Sequence, residues 1–140
     1  MVSYWDTSAI VPLLVSELET EARESQLLAA EGCVTWWGTR IEAISALCRR
    51  VREGSLSEKD FAFSSSRLEG LRQQWTEVVP SAALRNRSER LLRLHPLRAA
   101  DALQLAAALM ATEEQPEGST FHTSDQRLAE TAKLEGFTVV

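Results

Sequence analysis

The sequence predicts an α/β fold, a three-layer α/β/α sandwich around a small, mainly parallel sheet. Two observations carry that expectation. Short runs rich in β-branched and aromatic residues alternate with longer runs of helical periodicity along all 140 residues, the signature of strand–helix–strand units. Acidic residues also stand repeatedly where such a strand stops or such a helix starts, at Asp6, Glu42, Asp101 and Asp125.

The first strand is Val2-Ser-Tyr-Trp-Asp6, and Thr7 or Ser8 caps the apolar helical run from Ala9 to Val15. Asp6 then lies at the carboxyl end of a strand, where open α/β sheets bind their ligands. Read alone, it is equally a helix cap. A second helix spans Leu18 to Ala30, with Leu27 and Leu28 toward the core and Gly32 ending it. Cys33 to Trp37 is the second strand. Gly38 or Thr39 opens a third helix whose apolar stripe is Ile41, Ile44, Leu47/Cys48 and Val51. Glu42 sits beside that stripe in the first turn, where a carboxylate also complements the helix dipole. Arg49-Arg-Val-Arg52 closes the helix before Gly54.

Ser57 caps a fourth helix reaching about Gln74, with Phe61, Leu68 and Leu71 inward. Trp75 to Val79 is extended. Ser81 starts a fifth helix carrying Arg85, Arg87, Arg90 and Arg93 together with Leu84, Leu91, Leu92 and Leu94. The helix after Pro96 stands apart, because from Ala99 to Ala111 only Asp101 and Gln104 are polar, and a helix apolar nearly all round is buried. An unpaired carboxylate one turn inside such a helix costs on the order of several kcal/mol. Either Arg98 on the same face compensates Asp101, or Asp101 faces a cleft and helps to hold a cation. Glu113 to Gly118 is a loop and Ser119 to Thr123 a strand. Ser124 and Asp125 begin the last helix, through Leu128, Ala129, Ala132 and Leu134 to Gly136, and Phe137 to Val140 closes the sheet.

The length fits one domain, with 44% hydrophobic and 25% charged residues, an ordinary globular composition. No run has the length of a bilayer span and the N-terminus lacks the pattern of a signal peptide, so the expected location is the cytoplasm. Cys33 and Cys48 lack metal-like or redox spacing and are read as reduced core residues, and His95 and His122 as structural. The net charge is −5, and thirteen of the fifteen basic residues are Arg. An acidic protein disfavours non-specific nucleic-acid binding, so any nucleic acid is met by a local patch.

In a parallel sheet with helical crossovers, Asp6, Glu42, Asp101 and Asp125 all fall on the carboxyl edge. Clustered carboxylates repel, which raises their pKa values unless a divalent cation neutralises them. Oxygen donors without a partnering His or Cys suit Mg²⁺ or Mn²⁺ rather than zinc.

At this point the chain resembles the PIN-domain nucleases, and in particular the VapC-type toxins of bacterial toxin–antitoxin pairs. Four stretches carry the likeness in the family's order: Trp5-Asp-Thr-Ser-Ala-Ile10; Thr39-Arg-Ile-Glu-Ala-Ile-Ser-Ala-Leu-Cys-Arg49 with Gly54; Leu97-Arg-Ala-Ala-Asp-Ala-Leu-Gln-Leu-Ala106; and Thr123-Ser-Asp-Gln-Arg-Leu128 with Glu135-Gly136. The resemblance implies one PIN-like nuclease domain over residues 1–140, with Asp6, Glu42, Asp101 and Asp125 as metal-binding acids. Asp6 and Asp101 are then the principal ligands of Mg²⁺ or Mn²⁺, Glu42 a ligand or the base that orients water, and Asp125 a ligand of a second or weaker ion. Thr7, Ser8, Thr123 and Ser124 are candidates for contacts behind the ligands or to metal-bound water. The implied reaction is metal-assisted hydrolysis of RNA, with a homodimer as the assembly and a VapB-type antitoxin as the partner. The chain departs from the family pattern in its acidity, its near absence of Lys, and the pair Trp36-Trp37, which is read as core or dimer interface, or else as a stacking platform for bases. Two other functions compete. One is a non-catalytic PIN-fold module that binds RNA or protein. The other is a haloacid-dehalogenase-type phosphatase with Asp6 as nucleophile, which wants a second Asp where this chain has Ser8.

Overall fold

A computed structural model describes all 140 residues. Its five strands are β1 (Ser3–Trp5), β2 (Val34–Trp36), β3 (Thr76–Val78), β4 (Thr120–His122) and β5 (Thr138–Val139). They form one sheet in the order β3-β2-β1-β4-β5, and every pairing is parallel. The register places Trp5 beside His122 and Trp36 beside Val78, so the central strand β1 ends level with β4. Seven helices cover the sheet: α1 (Thr7–Leu14), α2 (Thr20–Ala29), α3 (Thr39–Arg52), α4 (Glu58–Arg72), α5 (Ala82–Leu94), α6 (Ala99–Ala111) and α7 (Gln126–Leu134). None is long and apolar enough to cross a membrane. The expected three-layer sandwich is therefore the observed one, with a sheet that is wholly parallel.

Alternation along β1 divides the core in two, since successive side chains of a strand point to opposite faces. Tyr4 packs with Leu91 of α5, Leu105 and Leu109 of α6, Phe121 of β4 and Leu128 of α7. Trp5 packs on the other face with Ile10 and Leu13 of α1, Leu47 of α3 and Leu68 of α4. Both side chains are fully buried. On the scale of about 25 cal/mol per Å² of apolar surface, two aromatic residues of this kind dominate the local energetics.

Helix ends follow the local chemistry. Ser57 caps α4 by accepting from the Asp60 N–H, and Ser81 caps α5 by accepting from that of Leu84. Gly136, at φ 109°, closes α7 in a Schellman motif, with Gly136 N–H bonded to Lys133 O and Phe137 N–H to Ala132 O, at 3.0 and 3.1 Å. That turn carries the chain directly into β5.

Some expected core positions are exposed instead. In α3 the buried line is Thr39, Ala43 and Leu47, and Ile41 is 61% exposed. The helix packs through its small residue because α1 lies close, and the larger Ile falls on the opposite face. Leu28 is 88% exposed, because α2 turns mainly Arg23 and Leu27 inward. Leu92, Leu94 and Leu134, for which no side was expected, face outward, since α5 buries Leu84, Ser88 and Leu91, and α7 buries Leu128, Thr131 and Ala132. The strands contract by a residue or two from those expected, while α1 begins two residues earlier, at Thr7. Cys33 and Cys48 are free thiols, and burial pushes that of Cys33 up to about 12.

Gly38, the residue before α3, is required by a close approach. A Cβ there would lie 2.4 Å from the Trp36 ring. Gly38→Ala is expected to destabilise the protein by about 1–3 kcal/mol through overpacking. Gly70, inside α4, has nothing within 4 Å of a built Cβ, so Gly70→Ala is expected to stabilise it by about 0.5–1 kcal/mol. Urea unfolding of both variants checks the pair.

Candidate functional site

The parallel sheet delivers acids from four separate elements to one edge. Asp6, the residue after β1, is 5% exposed and its backbone N–H continues the ladder to His122 O at 3.0 Å. It is itself the N-cap of α1. Thr7 and Ser8, the expected caps, lie inside the helix, because the extended backbone of Asp6 lets its own carboxylate reach the free amides first. Oδ2 takes all of its hydrogen bonds: from Ser8 N–H at 3.3 Å, Ser8 O–H at 2.5 Å and Thr123 O–H at 2.8 Å. Oδ1 takes none. Capping and ligand roles are thus compatible, one per oxygen.

Glu42 lies in the first turn of α3 and is half-buried. Its Oε2 accepts from the amide of Gln104 at 3.0 Å. The Trp36 indole N–H stands close enough to favour the charged carboxylate, yet makes no hydrogen bond of normal geometry. Asp101 occupies the first turn of α6 and Asp125 is the N-cap of α7, where its Oδ1 accepts from Leu128 N–H at 3.0 Å. Both line an open cavity with Arg98, Ala100, Gln126 and Arg127.

Asp101 is therefore at a cavity wall and not one turn inside the core, because the buried run of α6 begins only at Ala102. Arg98 does not pair with it. The ion pairs of the protein engage Glu17, Glu24, Glu69, Glu114 and Glu135, and none of the four site acids.

Burial is the largest influence on three of these acids. It raises the pKa of Asp6, against the hydrogen bonds from Ser8 and Thr123, and the charge of Asp101 raises it further. Burial also raises Glu42, opposed by the Gln104 bond and aided by the charge of Asp6. Asp101 is raised by burial and then by the charge of Asp125, with Arg98 and Arg127 pulling the other way. The acids are electrostatically linked in sequence, Glu42 to Asp6 to Asp101 to Asp125.

The hydroxyls behind them fall in two networks, one at Asp6 and one at Glu42. Ser8 Oγ and Thr123 Oγ1 stand 3.1 Å apart, each O–H directed to Asp6, and Ser8 Oγ accepts from Ser124 N–H at 2.8 Å, while Thr7 Oγ1 accepts from Gln104 at 2.9 Å. Sequence reasoning passed over one member of each. Gln104, 1% exposed, joins Tyr4, Thr7, Thr39 and Glu42, and its signal was its polarity in an otherwise apolar helix, three residues from Asp101. Arg23 is buried under the loop that carries Asp125, donating to Thr123 O at 2.8 Å and Ser124 Oγ at 2.9 Å. Its only signal was being the one cation in the Glu-rich α2. Trp36 is half-buried and Trp37 is 49% exposed, the two rings meeting edge-on at 6.3 Å. His122 stacks on Trp5 at 4.1 Å and His95 pairs with Glu135, both away from the acids' hydrogen bonds.

These donors suit a hard cation: all are oxygens, Asp6 leaves one oxygen without a partner, and none is in an ion pair, with Arg23 acting on Asp6 and Arg98 and Arg127 on Asp101 only through space. No three His, Cys, Asp or Glu side chains are drawn together closely enough to hold an ion outright. An ion bound here would rest on one or two carboxylates and keep several of its waters.

No protein-family profile matches the chain, and no curated protein does. Among solved structures, a chain of VapBC-1 from nontypeable Haemophilus influenzae superposes with a TM-score of 0.63 at 14% identity, covering 99% of this chain and 98% of that one. The fold is PIN-like. At that identity the likeness concerns the fold alone, and it extends over the whole chain.

The raised carboxylates have a thermodynamic sign. A carboxylate whose folded pKa exceeds its unfolded value weakens the folded state as pH rises through that window, and a cation bound by the folded protein offsets this. Calorimetric melting near pH 7.5 should therefore show Mn²⁺ stabilising the protein by about 2.7 kcal/mol at a hundred times its dissociation constant. The increment should shrink as pH falls toward the carboxylate range, and in Asp101→Asn.

Proposed function

We propose that this chain is a Mg²⁺- or Mn²⁺-dependent endoribonuclease, the toxin of a VapBC-type toxin–antitoxin pair. The observation that supports this reading is the position of Asp6, Glu42, Asp101 and Asp125 at strand and helix ends of a PIN-like sheet, each coupled through its charge to the next and none held in an ion pair. The family resemblance of the four stretches and the VapBC-1 likeness support it together.

In this reading Asp6, through its free Oδ1, and Asp101 hold the principal ion, and Asp125 contributes to a second or weaker one. When bound, the cation supplies Lewis acidity toward a phosphodiester and eases deprotonation of water. Glu42 either ligates or serves as base, with Oε1, free of a normal hydrogen bond, as the atom that accepts a proton from the attacking water. Thr123 and Ser8 keep the Asp6 carboxylate in one rotamer. Arg98 and Arg127, exposed at the cavity rim, are the local basic groups that an otherwise acidic protein needs to meet RNA phosphates. A VapB-type antitoxin and a second copy of the chain are the proposed partners, and the cytoplasm the proposed location. Residues 1–140 act as one nuclease domain.

The rival phosphatase wants an acid two residues after Asp6, and Ser8 instead donates its hydroxyl to Asp6. The open spacing of the acids is the one feature that favours a non-catalytic binding module. Incubation of labelled RNA with the purified protein and Mn²⁺ decides among the three. The nuclease reading predicts cleavage that chelation stops and that Asp101→Asn lowers by about 100-fold or more, the scale on which loss of one charge-stabilising group acts. Intact RNA, or phosphate released from small esters alone, contradicts it.

A further inference from the structure

Gln104 and Tyr4 are a deeply buried polar pair beside the site. Tyr4 is fully buried in β1 and Gln104 is 1% exposed in α6, and a lone buried amide is costly unless its groups are matched. They are matched in a defined direction. Tyr4 donates its O–H to Gln104 Oε1 at 2.6 Å, and Gln104 Nε2 donates toward Glu42 Oε2 at 3.0 Å. A charged carboxylate only accepts, so the amide must turn its nitrogen to Glu42 and its oxygen to Tyr4. A hydroxyl is the donor this requires, and Tyr4 supplies it.

The amide has two N–H groups and three acceptors near them, since Thr7 Oγ1 and Thr39 Oγ1 lie at 2.9 and 3.0 Å. Thr39 is also bound to Thr35 at 2.6 Å, and Thr35 donates to Trp5 O at 2.7 Å. The end of β1, the start of α3 and the middle of α6 are thereby locked to one another through a single amide. We infer that Gln104 is a positioning residue: oriented by Tyr4, it holds the Glu42 carboxylate in the rotamer from which Glu42 serves the cation.

This inference rests on the metal-dependent reading, and the test separates the two. Isothermal titration of Mn²⁺ is performed on wild type, Asp101→Asn, Gln104→Met, Tyr4→Phe and Leu105→Ala, with thermal melts to establish that each is folded. Leu105, fully buried in the same helix, reports what destabilisation alone does. Gln104→Met is expected to weaken Mn²⁺ binding about 10- to 100-fold, the usual effect of removing a group that orients a ligand. Tyr4→Phe, which leaves the amide in place but frees it to turn, should weaken it in the same direction by a smaller factor. Leu105→Ala should melt lower and bind Mn²⁺ as wild type does. Wild-type affinity in both Gln104→Met and Tyr4→Phe, with Asp101→Asn impaired, overturns the inference and leaves the metal reading intact, as does an equal loss in Leu105→Ala. If wild type takes up no Mn²⁺, or Asp101→Asn binds it equally well, the metal reading fails and the inference fails with it.

Discussion

Asp6 is a carboxylate almost out of contact with water, just past the end of the central strand, in no ion pair. Removing such a group from water costs several kcal/mol, on the order known for buried ions, and the surrounding chain is arranged to offset that. One oxygen is occupied three times over, by the amide and hydroxyl of Ser8 and the hydroxyl of Thr123. Positive ends of dipoles take the place of a countercharge, including the N-terminus of α1. Because Thr123 comes from the strand next to β1, the arrangement exists only when β1 and β4 pair in register. The fold and the charge thus depend on the same few bonds.

The opposite oxygen of Asp6 has been left alone, and the other acids follow that pattern. Asp125 spends one oxygen on the cap of α7 and Glu42 spends one on Gln104. Capping at Asp6 and Asp125, and the Gln104 amide at Glu42, orient three of the carboxylates while leaving half of each unengaged. A structural role alone would be equally well served by Ser or Asn at the caps, and neither would repel its neighbours. Charge at these positions is the cost that the proposed cation-binding role would account for.

Much of this was legible in the residues. Asp6 and Asp125 follow strand-like runs, and Glu42 and Asp101 open helical ones, so a parallel topology alone carries them to a common edge. The layered fold was legible for the same reason, since the alternation of short and long apolar periods leaves few other packings. Side-chain direction was less so. Ile41 and Leu28 looked like core by size, but a helix buries the line that fits its neighbour, and here that line runs through Ala43 or Arg23. Asp101 looked like the buried polar residue of α6 when Gln104 was. The two lie on one face, and only the tilt of the helix against the sheet decides which reaches the cavity and which meets Tyr4. Arg23 had only a faint signature, as the one cation of α2, because the carbonyl it satisfies is 100 residues away.

The central claim is that these separated acids share a cation at the carboxyl edge. Its most direct test is a crystal grown with MnCl₂ and measured near the manganese absorption edge. The account predicts an anomalous peak within coordination distance of Asp6 Oδ1 and of the Asp101 carboxylate, absent from crystals of Asp101→Asn. A well-ordered site with no such peak, its carboxylates turned instead to Arg98, Arg127 or solvent, would contradict it.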